Sequence, residues 1–191
     1  MTYQAARLLL AGAVLAAGCC VCPGQEVIHA LTGVATSVDN TAHTITLTAS
    51  DGTETVMKDD TKNHPSYAFD KSLQADTTSS SAFDKQGDPV ILFYFGDGWQ
   101  RRAIAVKDLG QTPLKLTTGQ VLHWDHHRHV VTIRAADGSK QNFQLDDKTV
   151  VDTPMGVVNG DHFDPQNGDQ VSIRYLDKDG GNEAVFLSQP L

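Results

Sequence analysis

Residues 118–138 read TGQVLHWDHHRHVVTIRAADG, and residues 32–52 read TGVATSVDNTAHTITLTASDG. Laid over one another at an offset of 86, the two stretches need no gap, and eight of the 21 positions are identical. A chain that repeats itself over tens of residues is built from copies of one structural unit. The likeness continues C-terminal to both stretches. VMKDDTKN (56–63) matches FQLDDKTV (143–150) after a one-residue insertion. GDPVILFYF (87–95) then matches GDQVSIRYL (168–176), and AIAV (103–106) matches AVFL (184–187), both at an offset of 81. The Gly and Pro of GQTP (110–113) mark the junction. This gives a first repeat over 27–110, a linker at 111–113 and a second repeat over 114–191.

Each copy reads as strands. TITLTA and VVTIRA alternate, placing Ile45 and Leu47, or Val131 and Ile133, on one face. Asp-Gly follows in both copies, a strong hairpin signal between β-rich runs. GDxV opens an apolar strand, FGDGW or DKDGG turns it, and AIAV or AVFL closes the unit. No stretch holds a helical period, and KSLQA (71–75) is long enough for one turn at most. Five or six short strands with one longer connection predict an all-β chain of two tandem OB-like barrels or β-rolls. Sandwich packing is the competing arrangement. The segment from Asp60 to Gln86, rich in Ser and Thr, reads as a surface loop.

The recurring pattern is Gly119-Q-V-L-H-W-Asp125, V-V-T-I (130–133), Asp137-Gly138, Asp147-K-Thr149, Gly168-D-Q-Val171 and A-V-F-L (184–187). It resembles a bacterial envelope domain of unknown function found in tandem in secreted proteins and lipoproteins. The resemblance covers nearly all of the chain beyond its N-terminal segment. It implies a fold and an envelope location, and its matched positions are turn and core residues rather than catalytic ones.

The N-terminus points the same way. MTYQAAR carries one Arg and precedes LLLAGAVLAAG, an apolar run of eleven residues. That run is too short to span a bilayer as a helix but has the length of a signal-peptide core. It ends in LAAGC (15–19), which is similar to the lipobox of bacterial lipoproteins. The expectation is a signal peptide over 1–18, a lipid on Cys19 and a tether over 19–26, with plain secretion as the alternative. Cys19, Cys20 and Cys22 are the only cysteines, so the body has no disulfide and no thiolate metal site. A net charge of −8 argues against nucleic acid and against anionic headgroups as partners. The membrane would be met through the lipid alone.

Four of eight histidines lie in HWDHHRH (123–129). His129 matches His43, Asp125 matches Asp39 and Trp124 matches Val38, which makes those three part of the shared hairpin. His123, His126 and His127 are left over. With Asp125 as an oxygen ligand they form a candidate site for Cu, Zn or Ni, since neutral imidazole suits these ions. The spacing matches no established zinc motif, and a solvated polar loop is the simpler reading. Adjacent imidazoles at one tip also raise the idea of a pH sensor.

The acidic turn DKDGGNE (177–183) is too short for an EF-hand loop and reads as an ordinary turn. Asp59-Asp60 and Asp146-Asp147 read as strand ends with Asx hydrogen bonding. In FYF (93–95), alternation sends Phe93 and Phe95 to one face, as core, and Tyr94 to the other. Trp99, Arg101 and Arg102 form the exposed candidate for partner contact. No G-x-S-x-G, P-loop, dinucleotide or zincin pattern is present. The function expected is therefore that of a non-catalytic envelope binding or structural module, with an envelope protein or glycan as partner and no cofactor. Metal handling by the histidine cluster is the alternative, and a hydrolase of unrecognised type a further one.

Overall fold

Both Asp-Gly pairs turn hairpins in the computed structural model, which describes residues 26–59 and 70–190. Gly52 and Gly138 adopt φ near +82° and +84°, a region open to Gly because it lacks Cβ. The Asp before each accepts a hydrogen bond from the backbone two residues on, Asp51 from Thr53 and Asp137 from Ser139. The expected signal segment, Cys19, Cys20, Cys22 and Asp60 lie outside the described residues.

In the first repeat, β1 (Ile28–Asp39), β2 (Thr44–Thr48) and β3 (Glu54–Asp59) form a meander. After α1 (Lys71–Gln74) and the two-residue β4 (Thr78–Ser79) come β5 (Pro89–Phe95) and β6 (Arg102–Asp108). The order is β3-β2-β1-β5-β6, and β6 returns to pair with β3 in parallel, Lys58 opposite Arg102 and Asp59 opposite Ala103. The second repeat copies this with β7 (Lys115–Asp125), β8 (Val130–Ala135), β9 (Lys140–Gln144), β12 (Gln170–Lys178) and β13 (Gly181–Ser188). There β13 closes on β9. A five-stranded Greek-key sheet that closes on itself is an OB-type barrel, and the closing pairs rule out a sandwich. The second repeat adds the hairpin β10 (Val150–Thr153) and β11 (Gly156–Asn159), with β10 parallel to β13.

Each barrel curls where its first strand passes a glycine. A Cβ on Gly33 would lie 2.7 Å from the Thr48 carbonyl oxygen, and one on Gly119 would lie 2.4 Å from that of Arg134. Two residues later each strand shifts register, between Ala35 and Ser37 and between Val121 and His123. The bulge bends the strand so that one half pairs in the meander and the other half across the barrel.

The register corrects one detail of the sequence alignment. Ile45 faces Met57, and Val131 faces Phe143, so the offset of 86 holds to the end of the third strand without an insertion. The doubled Asp pulled the alignment one residue out. Asp59 in fact occupies the place of Leu145. Its side chain is buried, with Oδ2 3.4 Å from His43 Nδ1 and Oδ1 unpartnered.

The segment read as a surface loop is also more built in than its composition suggests. Leu73 of α1 is fully buried, and the 3-10 turn Ser80–Ala82 delivers Phe83 into the first barrel. The turn Gly160–His162 delivers Phe163 into the second in the same way. Single apolar residues amid Ser and Thr give no period, so pattern reading passes over them.

Three apolar clusters form among the described residues. One fills the first barrel around Ile45, Leu47, Met57 and Leu92, and one fills the second around Ile133, Phe143, Leu145 and Ile173. The third lies between the barrels, where Ile28, Ala30, Leu73, Ile91, Phe93 and Ala105 meet Val150 and Phe186. Phe93 thus points out of its own barrel into this shared layer, while Tyr94, past a register shift, points inward. Both faces of the FYF run are buried.

Candidate functional site

The histidine hairpin is set by its repeated residues. Asp125 Oδ1 accepts from the backbone N–H groups of His127 and Arg128, as Asp39 Oδ1 accepts from Thr41 and Ala42. These bonds hold the Asp125 carboxyl below its ordinary range. His129 closes the turn at φ +51° and His43 at +55°, so the shared His is a left-handed turn residue. Its carbonyl accepts from Leu145 N–H, as that of His43 accepts from Asp59 N–H.

The leftover histidines do not converge. His123 is exposed on β7, opposite Thr132. His126 stands edge-on to the Trp124 ring and 3.7 Å from Asp164, and His127 is exposed. Trp124 is buried against Phe163 and His129. Among the described residues, no three His, Cys, Asp or Glu side chains lie close enough together to hold a metal ion. In the acidic turn, Asp177 pairs with Lys115 and Glu183 with Lys178. Asp146 Oδ1 accepts from Lys148 N–H, Thr149 N–H and the Thr149 hydroxyl, an Asx turn.

Trp99, Arg101 and Arg102 part company. Trp99 stands 87% exposed on the 3-10 turn between β5 and β6, one of the loops with which OB barrels contact ligands. Arg101 instead folds back, its guanidinium 5.1 Å from the Tyr94 ring centre, with Nε buried and unpartnered. Arg102 begins β6 and is half-buried.

Arg101 reaches a groove between the barrels. The larger part is a cleft of about 450 Å³ with apolar walls from Val34, Ala49, Pro89 and Leu114. Thr32, Ser50 and Arg174 line both it and an adjoining depression of about 350 Å³, which Arg101, Tyr94 and Asp152 also border. Arg174 donates to Ser50 Oγ at 3.2 Å. Burial pushes its guanidinium below its ordinary pKa. Asp152 is committed elsewhere: its Oδ1 lies 3.0 Å from His29 Nδ1 and accepts from Ala30 N–H. Burial still raises its carboxyl above the usual carboxylate range, outweighing those bonds. The Tyr94 phenol is likewise raised by burial.

Sequence reading missed Arg174, although the signal was present. At the offset of 81 it stands where the first repeat has Phe93, and Ser172 where it has Ile91. The register confirms the equivalence, since Arg174 faces Phe186 across β12–β13 as Phe93 faces Ala105 across β5–β6. An Arg replacing a buried Phe between copies of one unit marks a face that has changed its role.

No protein-family model and no curated relative matches the chain. Among solved structures it is similar to "Crystal structure of Ag(I)CusF", at 14% identity over 41% of this chain and all of that one, with a TM-score of 0.33. It is also similar to drosophila Unr CSD456, at 16% identity over 86% of this chain and 61% of that one, with a TM-score of 0.34.

Proposed function

We propose that this protein is a non-catalytic binding module of the bacterial cell envelope, exported by its N-terminal segment and anchored by a lipid on Cys19. The observation that carries the reading is the groove between the barrels. Its volume and its mainly apolar walls with a few polar groups are those of a small-ligand site. Its titratable borders are two arginines, a buried tyrosine and an aspartate tied to a histidine, a set suited to holding a ligand. Exposed Trp99 offers a second surface, for an envelope protein or glycan. Nucleic acid is left out because the net charge is −8.

Amide NMR spectra of the mature protein, recorded with small-molecule fractions of the envelope, test the reading. Saturable shifts confined to Gly33, Ala49, Ser50 and Leu114 are expected. A groove that stays silent to every fraction overturns it. Mass spectrometry of the native N-terminus tests the anchor, and an unmodified Cys19 refutes it.

A further inference from the structure

We infer that the groove binds a small amphipathic anion, with its oxyanion head on Arg174 and its apolar body along Val34, Ala49, Pro89 and Leu114. This rests on the binding-module reading and names its ligand class. Three observations converge on it. Arg174 is half-buried between two connected cavities, and its one side-chain partner among the described residues is the neutral Ser50 hydroxyl. A guanidinium has five N–H donors in a fork, so most of that capacity is unused. Arg101, bordering the same groove, keeps its Nε buried without an acceptor.

Charge and shape then select the ligand. The chain is acidic overall, yet two cationic groups border this groove. Among the described residues that line it, Asp152 is the sole carboxylate and is held by His29 and Ala30. The cleft beside Arg174 is mainly apolar, so a bare inorganic anion would leave it unfilled. A carboxylate or phosphate carrying an alkyl or aryl body satisfies both halves. The comparison within the chain supports a role in binding rather than packing. At the equivalent place the first repeat puts Phe93 into the shared apolar layer, where a guanidinium could not be accommodated without a partner.

Calorimetric titration of the full mature chain with decanoate, decyl phosphate and decanol tests this. Both anions are expected to bind at one site per chain and decanol at least tenfold more weakly, as charge-assisted bonds are lost. The tighter anion assigns the head group. Arg174→Gln should weaken anion binding at least tenfold, Arg174→Lys less, and Val34→Trp should block the cleft. Thermal unfolding of each variant shows that the fold is kept. Equal affinity for decanol and decanoate, unchanged binding by Arg174→Gln, or no saturable binding of either anion overturns the inference. A neutral envelope molecule that shifts the groove amides while both anions leave them still would sink the anion and leave the binding module standing.

Discussion

His43 and His129 show how one residue can be repeated for a reason that is not chemical. Each sits at positive φ, where a side chain is tolerated poorly and β-branched residues worst. His129→Val and His43→Val should each cost about 1–2 kcal/mol, with the Asn variants within about 0.5 kcal/mol of the parent. Urea unfolding of the four variants measures this, and equal effects of Val and Asn would refute the backbone account. Gly119 makes the complementary case. It has no positive φ, but an added methyl would meet the Arg134 carbonyl and the Ile133 side chain. Gly119→Ala should therefore destabilise by about 1–3 kcal/mol, read as a lower denaturation midpoint with unchanged slope. In the sequence both residues were legible as repeated positions. Their reasons were not, because backbone torsion and close approach leave no periodic trace. The leftover histidines are the converse: their identities were plain, and only the folded hairpin, with His126 set against Trp124 and Asp164, shows that among the described residues they form no metal-holding group.

At the scale of elements, strand identity and hairpins were legible because alternation and Asp-Gly are local signals. The β10–β11 hairpin was not, since VVDT and GVVN are too short to alternate convincingly. Yet this hairpin carries Asp152, which joins the barrels through His29 and Ala30. Because burial raises its carboxyl, the folded chain holds this proton to higher pH than the unfolded chain does. The native state then binds more protons in the window above about 3.8, and stability from this group falls as pH rises through it. Asp152→Asn keeps an acceptor for Ala30 N–H and removes the charge, so the variant's stability relative to the parent should rise between about pH 4 and neutrality. Asp152→Leu should instead cost about 1–3 kcal/mol by orphaning the Ala30 N–H. Denaturation at several pH values distinguishes these, and parallel curves for Asn and parent would refute the assignment.

For the molecule as a whole, the duplication predicted two barrels, but their docking was invisible because it depends on outward-facing residues. Polar bonds accompany the apolar layer. Ser72 donates to the Asp147 carbonyl, Lys107 to that of Lys148, and Asn159 to Asp70. Burial pulls the Lys107 ammonium below its ordinary pKa. Barrels joined this way should unfold as one. Phe93→Ala, which empties the layer without touching either barrel's interior, should cost about 3–5 kcal/mol and split a single calorimetric transition into two. A variant that still melts in one step would show that the layer does not couple them.

The exchange of Phe93 for Arg174 has a consequence for how such a protein can change. Duplication supplies two copies of one outer surface, and cohesion of the pair draws fully on only one of them. The positions left outside that layer, Ser172 and Arg174, are free to vary, because neither belongs to either hydrophobic interior. Relatives built on this plan should differ in what they hold by substitutions at that surface while their barrels stay the same. New specificity would then come at little risk to folding.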